Sequence, residues 1–182
     1  MSSSESISAD SPRENHFSAK DVEEILRERG WVSGEISPEQ SAFCERACAL
    51  LGPHAADRAA LSGLLGLIFH YDAAEILAGA EAHAVLTRYN AREVVRQLGL
   101  FLIEPVPFTS ERLKELVAQF KENYDLRGRD LFHPFRLALT GQSGEGELDR
   151  VILLLDEAAA VPFAVPVKSA RTRILEFCSL LD

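Results

Sequence analysis

The sequence predicts an all-α fold, and three observations predict it. Apolar residues recur at helical spacing along most of the chain, start and stop signals bracket those stripes, and no stretch alternates like a half-buried strand. With 182 residues, 47% of them hydrophobic, the chain is long enough for one ordinary core or two small packed lobes. Two lobes are expected, 17–104 and 105–182, behind an N-terminal tail at 1–16.

The opening MSSSESISADSPREN has a single large apolar residue after Met1, too few to offset the entropy of ordering. It predicts a disordered tail at a natural chain terminus. Ser18 with Asp21 then forms a capping pair for a helix through Ile25 and Leu26, which Gly30 ends. Ser37-Pro38-Glu39 starts a second helix, with Pro38 at its first position, ending near Gly52-Pro53. Between Ala55 and His70, the residues Leu61, Leu64, Leu65 and Ile68 follow i, i+3, i+4, i+7 and predict a deeply buried helix.

Short Ala-rich helical segments after Asp72 lead to a helix at Ala91–Leu98, and Glu104-Pro105-Val106-Pro107 breaks the pattern, which places the lobe boundary there. Thr109 or Ser110 caps a helix with the stripe Leu113, Leu116, Val117, Phe120 and Tyr124, closed by the basic turn Arg127-Gly128-Arg129. Helices at Leu131–Leu139 and Glu147–Leu155 follow, joined by Gly141-Gln142-Ser143-Gly144. The Pro-bearing stretch Val161–Val167 reads as an extended connector, and a last helix spans Ser169 to Leu181.

Composition narrows the function. No apolar run approaches the ~20 residues needed to cross a bilayer, and no charged-then-apolar secretory signal opens the chain, so a cytoplasmic protein with no membrane partner is expected. Cys44, Cys48 and Cys178 are an odd number without disulfide-framework spacing, which suits a reducing compartment. The net charge of -9 opposes general affinity for nucleic acid, and DNA is not an expected partner. That charge is uneven: residues 1–110 hold 9 Lys+Arg and 16 Asp+Glu, net -7, and residues 111–182 hold 10 and 12, net -2. Any basic face must come mostly from the second half.

The run Leu131-Phe132-His133-Pro134-Phe135-Arg136-Leu137-Ala138-Leu139-Thr140-Gly141 resembles the P-x-R-x-A-L-T-G motif in the last helical domain of bacterial glutamyl-tRNA synthetases. The preceding helix with its Arg-Gly-Arg turn, and Glu147 to Leu155 after it, resemble the family's flanking elements. A weaker likeness reaches back to about Glu39 and includes Leu64–Tyr71, similar to a helix of the penultimate domain. The resemblance implies a two-lobed helical bundle like the synthetase anticodon-binding domains, which cage the anticodon loop. It implies a tRNA partner, tRNA-Glu first, contacted at its anticodon arm.

Residue by residue, the resemblance puts the motif arginine on Arg136 and the anticodon-facing leucine on Leu148. A guanidinium can stack on a splayed base or fork onto its edge, and an apolar side chain can pack on its face. Gly141 and Gly144, next to Thr140, would let backbone approach the nucleotide closely. Where the family has Pro-Gly or Gly-Pro before the leucine, this chain has Gly144-Glu145-Gly146-Glu147, which adds two negative charges. Arg127 and Arg129, with Lys114 and Lys121, read either as a phosphate-tracking patch or as a mixed-charge surface beside Glu115, Glu122, Asp125 and Asp130.

Other chemistry is poorly supported. A class I synthetase active site needs a His-x-Gly-His motif, a Lys-Met-Ser-Lys loop and a nucleotide-binding α/β domain; none of the five histidines begins such a motif, and Met1 is the sole methionine. The chain is therefore expected to be no enzyme by itself and to take no cofactor, a synthetase catalytic subunit being the alternative partner. His133, placed by Pro134 at a helix start, has no nearby serine or cysteine to activate. Cys44 and Cys48 share a helix face near His54 or His70, but four metal ligands at finger-like spacing are not visible. Without the motif, Arg136 reads as a helix arginine paired with a carboxylate such as Asp130.

Overall fold

The computed structural model describes residues 13–181, and among them the chain is entirely helical outside its loops. The first twelve residues of the anticipated tail lie outside the described residues. Of the remainder, Asn15 is fastened to the second helix, its side-chain amide donating to the Cys48 carbonyl at 3.0 Å.

The elements are α1 (Ala19–Glu28), α2 (Pro38–Leu51), α3 (Arg58–Phe69), α4 (Ala73–Ala78), α5 (Ala80–Leu86), α6 (Ala91–Leu102), α7 (Ser110–Tyr124), α8 (Arg129–Thr140), α9 (Glu147–Ala160) and α10 (Ala170–Ser179). Ser18 and Asp21 make a reciprocal capping box on α1, and Ser37 with Gln40 makes another on α2, so two orphan N–H groups are satisfied at each start. Asp57, Asp72, Thr109 and Ser169 cap α3, α4, α7 and α10 in the same way through one side-chain acceptor each.

Helix α9 packs against α2 and α3, and α8 packs against α6, α9 and α10, so side chains from both sides of the Glu104–Pro107 break meet in one apolar core. Leu61, Leu65 and Ile68 are fully buried as the α3 stripe requires, while Leu64 is half-buried. On α7, Leu116 and Phe120 carry the burial; Tyr124, expected in that stripe, is exposed because Asp125 reverses the chain with a φ of 51° immediately after it. The connector before α10 crosses α1 and α2: Ala164 N–H donates to Trp31 O at 2.8 Å, and Phe163 packs edge-on against Phe43 and Phe69.

One expectation about α8 is corrected. The helix begins at Arg129, so His133 lies inside it and not at its start. Pro134 is accommodated because its missing N–H leaves only one carbonyl, that of Asp130, without its helical donor. Near the C-terminus, Arg173 has 0% exposure and does not face solvent. Its guanidinium donates to the carbonyls of Leu67 at 2.8 Å and Leu139 at 3.0 Å, and to Ile68 O, with the Tyr71 ring stacked 4.7 Å away. The C-terminal carbonyls of α3 and α8 thus converge on one cation, the favourable sign for a helix dipole. Burial pushes the Arg173 pKa down to about 10, with Tyr71 and Glu176 opposing, and it stays charged at neutral pH.

Candidate nucleic-acid interface

The end of α8 and the start of α9 are joined by a six-residue turn whose shape is set from below. Thr140, 3% exposed, donates its hydroxyl to Arg136 O at 2.8 Å and accepts from Gln142 N–H at 3.2 Å. Gly141 then takes a φ of 85°, a left-handed conformation that costs glycine nothing, and a Cβ there would meet Ile76 Cγ1 at 3.0 Å. Ser143 is held from α5, its N–H and hydroxyl both donating to Glu81 at 2.7 and 2.6 Å.

Arg136 closes the turn. Its Nε and Nη2 fork onto the two Asp149 oxygens at 2.8 and 3.1 Å, Nη1 donates to Gly144 O at 3.1 Å, and the guanidinium lies 4.9 Å from the Phe132 ring centroid. The side chain is 9% exposed overall. Asp130, the alternative partner, stands six residues earlier on α8; at about 3.6 residues per turn it points to another side of the helix. Asp149 instead reaches Arg136 because the turn folds α9 back over α8, and a carboxylate in the first turn also suits the α9 dipole.

Leu148 is 1% exposed, and its Cδ1 sits where a Cβ on Gly144 would lie only 2.7 Å away. The structure therefore brings Arg136, Thr140, Gly141, Gly144 and Leu148 into one compact turn, with Arg136, Thr140 and Leu148 on its inner side. Arg127 and Arg129 are exposed at the opposite end of α8, roughly 18 Å away by helical rise. Arg127 pairs with Asp125 at 3.3 Å. Glu145 is exposed and Glu147 half-buried; together with Asp149 they line a groove of about 740 Å³ whose cationic walls are Lys114 and Arg150.

The sequence did not single out Asp149 and Glu81 as braces of this turn. Only Asp149 left a signal, as an acid in the first turn of a helix. Cys44 and Cys48 are both buried, and burial pushes the Cys44 thiol up to about 12. Among the described residues, no three His, Cys, Asp or Glu side chains are grouped to hold a metal ion. Among the described residues, no helix is long and apolar enough to cross a membrane.

The family described as "Anticodon binding domain" matches residues 17–160, and the chain belongs to it. It is 30% identical over 136 residues to the glutamate-tRNA ligase of Bacillus velezensis, and 29% over 136 residues to that of Bacillus subtilis; each alignment covers 75% of this chain and 28% of the relative. The glutamate-tRNA ligase of Heliobacterium modesticaldum is 32% identical over 81 residues, 44% of this chain and 16% of that protein. The chain thus spans about a quarter of the length of the Bacillus relatives it matches. No solved structure matches it.

Proposed function

We propose that this protein binds tRNA at the anticodon arm, with tRNA-Glu the first candidate, and does not itself catalyse aminoacylation. The observation that carries the reading is the braced turn 141–146 at the end of the Pro134–Gly141 motif, within a chain of the anticodon binding domain family. In this reading Gly141 and Gly144 bring backbone to the nucleotide. Arg136, Thr140 and Leu148 hold the turn from its inner side, so base contact by Arg136 itself requires the Asp149 pair to open. Arg127 and Arg129 meet phosphates further along the loop. The test is binding to tRNA-Glu and to an anticodon-altered variant at low salt, where the unaltered tRNA should bind more tightly. No binding, or equal binding, would overturn the proposal.

A second reading is favoured by one observation, that the matched relatives named glutamate-tRNA ligases are each about four times longer than the aligned segment. In that reading the chain docks on a separate catalytic subunit and contributes to ligation only with it. Affinity capture that recovers tRNA but no synthetase catalytic subunit counts against it.

A further inference from the structure

The turn between α5 and α6 carries Arg88, Tyr89 and Asn90, and it stands beside the N-terminal half of α8. Arg88 Nη1 lies 2.8 Å from His133 Nδ1. A guanidinium has only donors, so Nδ1 is the acceptor and the ring proton belongs on Nε2. Arg88 thereby fixes His133 as a neutral ring with its one N–H on Nε2. Arg129, one helical turn before His133, is exposed and near enough to act on the same imidazole, as Arg88 and Arg136 do. Three cations crowd one histidine, and the acid acting on it is Glu145.

Tyr89 follows Arg88 directly and is 88% exposed, the most exposed large apolar side chain among the described residues. Asn90 takes a φ of 64° just after it and turns the chain back into α6, which leaves Tyr89 at the outermost point of the turn. A tyrosine is amphipathic and usually sits against something. Here it is exposed, next in sequence to Arg88, whose guanidinium reaches His133. An aromatic face to stack a base, guanidinium groups for phosphate, and a neutral donor for a base edge are the elements with which proteins hold unpaired RNA nucleotides. The same α5 reaches the braced turn through Glu81, which accepts from the Ser143 N–H and hydroxyl, so one short helix links the two places.

We propose that Arg88, Tyr89, Arg129 and His133 form a second RNA-contact site, in which an unpaired nucleotide stacks on Tyr89 with its phosphate held by Arg88 and Arg129. This rests on the tRNA-binding reading and adds Arg88, Tyr89 and His133 to it. The bound RNA would run from the turn 141–146 past His133 to Tyr89.

The experiment is fluorescence anisotropy of the full chain with a labelled anticodon stem-loop of tRNA-Glu, titrated at several salt concentrations. Tyr89→Ala removes an exposed side chain and leaves the core intact, so lost binding is not lost folding. It should weaken binding about tenfold. Tyr89→Phe keeps the stacking face and should stay within about twofold of the parent protein. Arg88→Ala should lower the slope of log affinity against log salt by about one. If the parent protein binds while Tyr89→Ala and Arg88→Ala bind equally well with an unchanged slope, this site is overturned and the tRNA-binding reading survives. If the parent protein does not bind the stem-loop, both fall.

Discussion

Arg136 forks onto both carboxylate oxygens of Asp149, thirteen residues further along the chain, and so fastens the end of α8 to the first turn of α9. The pair is mostly shielded from water, with 10% and 20% of the two side chains exposed. Removing one member strands the other, which in shielded pairs costs several kcal/mol. Asp149→Ala should therefore destabilise the protein by roughly 3 kcal/mol in urea unfolding. Arg136→Lys should recover little of the parent stability, because an ammonium cannot fork onto both oxygens and reach Gly144 O. A near-neutral Asp149→Ala would show that the turn is not braced by this pair.

Leu148 offers a sharper distinction, since a residue buried to 1% exposure in the turn and one that packs on an RNA base make different demands. Leu148→Ala should cost about 2–5 kcal/mol by leaving a cavity, read as a lower thermal midpoint without RNA. A variant of unchanged stability with impaired RNA binding would instead place Leu148 against the nucleotide.

Arg173 makes a stability prediction remote from the turn. Arg173→Met keeps much of the volume but abandons the carbonyls of Leu67, Ile68 and Leu139 at the convergent ends of α3 and α8. A loss of roughly 3 kcal/mol is expected in chemical denaturation. Tyr71, whose hydroxyl donates to Ala138 O at 2.6 Å, belongs to the same junction, and burial raises its pKa.

These three residues mark where sequence and structure part. The helices were legible because their signals are local: Ser18 with Asp21, Ser37 with Pro38, and the Leu61, Leu65, Ile68 stripe each act within one or two turns. The motif residues Arg136, Thr140 and Gly141 were legible as a group, and they do share one turn. Their burial was not, because it depends on how α9 folds back and supplies Asp149. The burial of Arg173 was not legible, since nothing local announces that two helix ends more than thirty residues away will meet around it. Tyr89 carried no periodic or motif signal at all.

His133 supplies a pH prediction. Burial first, then Arg88, Arg136 and Arg129, hold its pKa below the ordinary 6.5. The unfolded chain thus takes up this proton more readily than the folded one. The stability it supports is fully present above pH 6.5 and is lost as pH falls through the lowered folded value. Proton NMR titration should show the His133 midpoint below 6.5, and Arg88→Ala should move it upward. An unchanged midpoint in that variant would remove Arg88 from the account.

Gly141 can be tested without touching a polar group. Gly141→Ala forces a side chain into a φ of 85° and against Ile76, and it should cost about 1–2 kcal/mol while altering the turn proposed to face RNA. Stability and RNA affinity should therefore fall together; unchanged affinity would move the contact away from this turn.

The central claim is that the chain recognises an anticodon. The most direct measurement is the affinity of the full protein for the tRNA-Glu anticodon stem-loop and for the same stem-loop with its three anticodon bases replaced, both at low salt. Tighter binding to the unaltered loop, by about tenfold for a change of 1.4 kcal/mol, is the result the account predicts. Equal affinity for the two loops, or none for either, would contradict it.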